Sequence, residues 1–196
     1  MQALGNKFEV IDIAAISILK FELEWFAMKK FNEINVEDIS GNAFKLIGKE
    51  WMLVAAEKDG KTNAMTASWG GLGVMWNKNV AYVALRPQRY TKEFIDSSDT
   101  FSLSFYDESY REKLSYLGSV SGRQEDKIAK VGFTKASCDN TPYFDEARLV
   151  LICKKLYSQK YDPDGFIDKT LDEKNYPDKD YHTMYIVEIT KALLKE

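Results

Sequence analysis

Two strand-like runs, Trp51 to Ala56 and Thr62 to Trp69, are joined by Lys58-Asp59-Gly60-Lys61. Asp-Gly tolerates the left-handed backbone that a tight hairpin turn requires, so this stretch predicts an antiparallel pair. Across the turn, Asn63, Met65, Ala67 and Trp69 share one face of the strand, and Thr62, Ala64, Thr66 and Ser68 share the other. The glycines at 70, 71 and 73 then break the alternation. Asn77-Lys78-Asn79 predicts a turn into a strand from Val80 to Leu85, which Pro87 ends.

Further along, helices interrupt the strands. Thr91 is placed as the N-cap of a short helix reaching Ser97, and Thr100 to Tyr106 alternates as a half-buried strand. Ser109 with Glu112, and Ser121 with Gln124, have capping-box spacing, and Gly132 closes the second helix. Residues 133–146 read as loop and Ala147 to Lys160 as a long strand. A polar segment over 161–181 has a short helix near 167–173, and His182 to Thr190 returns to strand. Strands, then short helices, then strands is not the alternation of a parallel doubly wound sheet. An antiparallel barrel with inserted helices fits it better.

Residues 1–27 lack a clear capping signal, and Met28-Lys29-Lys30 looks like a second translation start. The expected division is a leader over 1–27, either an appended helix or a start-site artefact, and one working domain over 28–196. Val10 to Leu19 is too short for a membrane span and lacks signal-peptide flanks. Sparse cysteines at 138 and 153 predict a reduced, cytoplasmic setting, with Cys153 a buried thiol.

Charge and motifs narrow the chemistry. A net charge of −3 argues against a broad nucleic-acid or anionic-membrane surface. Strand aromatics such as Phe101, Phe105 and Tyr106 could in principle stack bases, but there is no continuous basic groove beside them. The single histidine, His182, excludes multi-histidine zinc sites, and no serine-hydrolase elbow, Walker motif or Gly-x-Gly-x-x-Gly is present. What remains is an anion site. Arg86, Arg89 and the donors around Thr91 lie beside a predicted helix start, and Ser121-Gly122-Arg123 with Lys127 lies at another.

Each cluster also has a plainer reading, as surface arginines and as a second helix cap. Likewise the strand Thr62–Trp69 is either an ordinary hairpin strand or one whose backbone at Thr66 to Ser68 faces the polar edge of a flat ligand. A ring with imide-like donors and acceptors, such as an isoalloxazine, would suit the latter. His182, placed after a polar loop at a predicted barrel rim, is either a packing residue or part of a pocket mouth.

The segments NAMTASWGG, RPQRYT, LGSVSGRQEDK, NTPYFDEA and YHTMYIVEI, in that order, resemble the flavin reductase-like FMN-binding split-barrel family, with the flavoredoxin-type branch the nearest in pattern. The resemblance runs from about Phe31 to Ile189. It implies a mainly β fold, a Greek-key split β-barrel that forms a homodimer and holds FMN near the subunit interface. It places Asn63, Met65, Thr66, Ala67, Ser68 and Trp69 against the isoalloxazine and ribityl chain. It places Arg86, Arg89, Tyr90 and Thr91 on the phosphate and ribityl hydroxyls, with Ser121, Gly122 and Lys127 closing the site.

By the same resemblance, His182 matches a histidine that follows Gly-Asp in many NAD(P)H:flavin reductases. Here Asp180-Tyr181 precedes it, and the bulk of Tyr181 raises the question of whether a nicotinamide pocket remains. Two functions are thereby implied. One is an oxidoreductase taking hydride from NADH or NADPH and passing electrons to a flavin, a metal ion or a protein. The other is an FMN electron carrier reduced by a partner protein. In both FMN carries the redox chemistry, and no side chain need act as nucleophile or general acid.

Overall fold

The computed structural model describes residues 31–196, so the expected leader and the domain start at Met28 lie outside the described residues. The elements are β1 (Phe31–Ile34), α1 (Ala43–Gly48), β2 (Met52–Lys58), β3 (Lys61–Ala67), β4 (Gly70–Met75), β5 (Lys78–Leu85), α2 (Tyr90–Ser97) and β6 (Thr100–Phe105). They continue with α3 (Arg111–Ser119), α4 (Lys127–Val131), β7 (Lys135–Cys138), β8 (Thr141–Phe144), β9 (Leu149–Lys160), α5 (Lys169–Asn175) and β10 (Thr183–Lys195).

The Asp-Gly hairpin forms as its sequence requires: Asp59 and Gly60 both have positive φ, and β2 pairs with β3 from Met52↔Ala67 to Lys58↔Lys61. The main sheet is antiparallel, in the order β3-β2-β6-β9-β10-β5-β4, with β1 on β10. Consecutive strands β3 and β4 therefore sit at opposite ends of that order, joined only through Ser68-Trp69. The sheet must curl to bring its two edges together, and Ala84 N–H extends the β4–β5 ladder to Trp69 C=O at 3.1 Å. This is the split β-barrel with inserted helices. β10 spans it, with β9 along one side and β5 then β1 along the other.

Strand alternation sorts the apolar side chains into two cores. Met52, Val54, Leu103, Leu151 and Val187 fill the barrel interior. Leu53, Ala55, Val150 and Ile152 point outward, where Leu114 and Leu117 of α3 and Tyr143 and Phe144 of β8 cover them. Ser102 Oγ donates to Pro142 C=O at 2.5 Å and ties that outer layer to the sheet. Cys153 lies wholly inside the barrel, where burial pushes its thiol well above the ordinary range.

Four local features differ from expectation. The glycine-rich stretch is strand β4, because its neighbour supplies the missing bulk: a Cβ on Gly71 would meet the Tyr82 ring at 2.2 Å. Residues 133–146 contain the β7–β8 hairpin, whose turn places Asp139 and Asn140 at positive φ. Helix α2 begins at Tyr90 with Arg89 as its N-cap, so Thr91 is already inside the helix. Neither capping box forms. Tyr110 precedes α3 without a side-chain cap, and Asp126 caps α4 by accepting from Ala129 N–H.

Candidate functional site

A cleft of about 350 Å³ opens along the end of β3 and across the barrel seam. Met65, Thr66, Ala67, Ser68 and Trp69 line it from β3 and the link to β4; Ala84, Arg86, Gln88 and Arg89 line it from β5 and the turn into α2; His182 lines it from the start of β10. A larger cavity, about 460 Å³, lies elsewhere among Lys49, Glu50, Arg111 and Arg148, where Arg148 pairs with Glu50 and Arg111 stacks over Trp51.

The strand side of the cleft is set by topology. Because β3 is the edge of the sheet, every second backbone N–H and C=O on its free side has no sheet partner. Small residues allow close approach here. Gly118 of α3 stands where a Cβ would touch Thr66 Cβ at 3.2 Å, and Thr66 Oγ1 donates to Leu114 C=O at 2.6 Å. Tyr90 has its ring edge-on to Phe94 at 4.9 Å, and Arg123 lies 4.4 Å over it while pairing with Glu93.

Next to this edge is a polar knot. Asn63 Nδ2 donates to Thr91 Oγ1 at 3.0 Å, with both residues buried. Gly122 packs so closely that an added Cβ would fall 2.3 Å from Asn63 Oδ1. Ser121 shapes that loop by accepting from Arg123 N–H. The sequence clusters 63, 91 and 121–122, far apart in the chain, are thus brought together.

Two cations lie at this end: Arg89 lines the cleft, whereas Lys127 is buried and does not line it. Arg89 donates to Gly118 C=O at 2.6 Å, and Lys127 donates to Leu117 C=O at 2.8 Å and Val120 C=O at 2.9 Å. Neither has a carboxylate partner among the described residues. Burial pulls the Arg89 guanidinium down from its ordinary value; burial and then the Arg89 charge lower Lys127 to about 8. The first turn of α2 adds N–H groups of Tyr90 and Thr91 that no side chain caps. One half-buried and one buried cation, with free helix-start donors, make an environment short of negative charge.

The other end is different in kind. Arg86 pairs with Asp180 and donates to Asn175 C=O at 2.8 Å, while Gln88 Nε2 also donates to Asp180 at 2.8 Å. His182 faces Trp69 with ring centroids 4.7 Å apart, and its Nδ1 lies 2.8 Å from Tyr176 Oη. Burial, then the Arg86 cation, lowers its pKa to about 4, so the ring is neutral near pH 7. Tyr181 is buried against Tyr176 at 4.9 Å and does not line the cleft. The bulk that the sequence places before His182 is turned away from it.

Sequence reasoning left out Ala84, Gln88, Asp180 as a charge partner, and Tyr176. Asp180, an acid shortly before the lone histidine, offered a signal as a partner for a barrel-rim arginine. Tyr176 offered none, because only tertiary packing brings it to His182.

Residues 44–196 match the family described as Flavin reductase like domain, and the chain belongs to that family. Among solved structures it is similar to a flavoredoxin from Methanosarcina acetivorans, 23% identical, covering 84% of this chain and 76% of that one with a TM-score of 0.62. An FMN-binding domain of flavin reductases-like enzyme from Shewanella baltica is 19% identical, with 84% and 77% covered and a TM-score of 0.61. The flavoredoxin of Desulfovibrio vulgaris (Miyazaki F) is 24% identical, with 74% and 69% covered and a TM-score of 0.58. At these identities the likeness to solved structures carries the fold. No curated protein matches the chain.

Proposed function

We propose that this member of the flavin reductase-like family is an FMN-binding oxidoreductase. In this reading it accepts hydride from NADH or NADPH and passes electrons to a flavin, a metal ion or a protein. The observation that carries it is a pair of cations, half-buried Arg89 and buried Lys127, that have only carbonyl partners among the described residues. Such a pair favours an anion, and a phosphate ester suits it and the free N–H groups of Tyr90 and Thr91. The free edge of β3 at Met65 to Ser68 would meet the polar rim of the flavin ring, and the Asn63–Thr91 knot would face the ribityl chain.

When bound, FMN supplies the two-electron chemistry. The protein's share is to bind, orient and shield. Gly118 and Gly122 let α3 and the loop after it pack closely on Thr66 and Asn63, which fixes the strand edge that would meet the flat group. Trp69 and His182 wall the open side, where a nicotinamide or another small partner would stack. Neutral at working pH, His182 offers orientation rather than a proton.

The electron-carrier reading keeps every one of these binding roles and removes only the nicotinamide. Its sequence support was the flavoredoxin-type pattern together with the bulk of Tyr181, and that ring packs into the aromatic cluster away from the cleft. The nicotinamide-using reading is therefore preferred. A second copy of the chain is proposed as the partner on the outer sheet face. There Tyr157, Ile186 and Tyr82 lie in register across β9, β10 and β5, with Trp76 6.4 Å from Tyr157. Sedimentation at micromolar concentration should give a dimer, and a Tyr82→Glu, Trp76→Glu double variant a monomer.

The test of function is optical. The purified protein reconstituted with FMN should show a bound-flavin spectrum that bleaches on anaerobic addition of NADH or NADPH. A retained spectrum with both nicotinamides, and bleaching only by a reduced partner protein, would establish the carrier instead. Failure to bind FMN at all would end both readings.

A further inference from the structure

The wall of the cleft holds the chain's single histidine, and its second ring nitrogen is engaged inside the protein. Tyr176 follows directly on α5, and its hydroxyl meets His182 Nδ1 at 2.8 Å. No other polar group pairs with Tyr176 Oη, or with His182 Nε2, among the described residues. His182 Nε2 is not fully enclosed, and His182 is one of the residues that line the cleft.

A neutral imidazole carries one N–H and one bare nitrogen, so this hydrogen bond can run in either sense. If Nδ1 held the proton it would donate to the phenol oxygen. The Tyr176 O–H would then have no acceptor in a buried aromatic setting, which is the costly outcome. If Nδ1 is bare, it accepts from Tyr176 and both groups are satisfied.

The phenol is also held where it is. Its ring packs on Tyr181 at 4.9 Å, with Arg86 over the ring at 5.2 Å, and its backbone N–H donates to Asp172 C=O at 2.8 Å. Arg86 in turn is anchored on Asp180 and on Asn175 C=O, so the tyrosine has a fixed bed.

We propose that Tyr176 is a positioning residue: its hydroxyl donates to His182 Nδ1, locks the ring in the Nε2–H tautomer, and presents a neutral N–H donor to the cleft. A donor of this kind selects an uncharged acceptor oxygen, such as a carboxamide carbonyl, over a cationic group. The identity of that ligand rests on the function proposed above; the tautomer lock does not.

Because the chain has one histidine, a long-range proton–nitrogen NMR spectrum of uniformly labelled, cofactor-free protein reports this ring alone. At pH 7 the wild type should show a protonated Nε2 and an unprotonated, hydrogen-bonded Nδ1. Tyr176→Phe keeps the ring and removes the donor. It should move the tautomer ratio toward Nδ1–H by about fivefold, the equivalent of the roughly 1 kcal/mol net worth of one hydrogen bond. It should also raise the imidazole pKa, since a donor to the neutral ring has been lost.

A wild-type ring found mainly as Nδ1–H would overturn the proposal, whether or not the variant folds. So would a Tyr176→Phe spectrum unchanged in tautomer. No flavin enters this experiment, so failure to bind FMN would leave its result standing. In the loaded protein, Tyr176→Phe should raise the KM for the nicotinamide several-fold, with a smaller change in kcat.

Discussion

Arg86 and Arg89 are three residues apart on one turn, line the same cleft, and have opposite electrostatic fates. Arg86 is neutralised by Asp180 and serves as a strut between the β5 end and the segment before β10. Arg89 meets only a carbonyl and lies close enough to Lys127 for its charge to lower that lysine's pKa. One end of the cleft is therefore short of negative charge and lined by small residues, and the other is charge-balanced and lined by aromatics. In the function proposed above, the first end would hold the anion and the second would meet an uncharged ring. Residue type alone did not separate them. The carboxylate that distinguishes the two arginines comes from the far side of the domain.

The contrast can be broken most directly at Arg89. Arg89→Met should weaken FMN binding by roughly 10- to 150-fold, the worth of ~1.5–3 kcal/mol for a hydrogen bond to a charged group. A fluorescence-quenching titration measures it, and a loss under about threefold would mean the anion sits elsewhere.

The pH dependence of the same affinity is a middle-sized effect. Lys127, lowered to about 8 by burial and by Arg89, loses its proton as pH rises through that value. Binding a phosphate dianion then requires proton uptake, so affinity should fall above about pH 8 by up to roughly tenfold per unit. Titrations at pH 7 and pH 9 check the sign, and Lys127→Arg should flatten the profile. An affinity that rises with pH would contradict the placement of Lys127 at the phosphate end.

The smallest effect is expected at Arg86. Arg86→Met should change FMN affinity by less than about threefold, while the lost ion pair and the lost bond to Asn175 C=O should lower the thermal midpoint slightly. If Arg86→Met weakens FMN as much as Arg89→Met does, the division of the cleft into two ends is wrong.

What could be read in the sequence follows from the range of the forces involved. Asp59-Gly60 declares its hairpin because the turn is decided by two adjacent residues. Strand β4 was hidden because its glycines carry no β signal, and the bulk covering Gly71 is the Tyr82 ring on the neighbouring strand. The β7–β8 hairpin was hidden by Asn140 and Pro142, although Asp139-Asn140 is itself a tolerable left-handed pair. In the site, Asn63, Thr91 and Gly122 were recognisable by resemblance, and a 3.0 Å hydrogen bond and the close approach at Gly122 place them side by side. The Arg86–Asp180 and Tyr176–His182 pairs join residues whose own neighbours in sequence say nothing of each other.

The place of β10 in the sheet has a consequence for how the chain is made. Strands β4 and β5 have no sheet neighbour but each other until β10 arrives, while β2 and β3 wait only for β6. At roughly 5–20 residues per second, many seconds of synthesis separate β5 from the strand that pairs with it. During that interval the open edge of β5, with Ala81, Val83 and Leu85 uncovered, is a surface on which nascent chains can stick to one another. The cleft is then completed late, when His182 enters with β10, so a ribosome-bound intermediate lacking that strand would have only part of the wall.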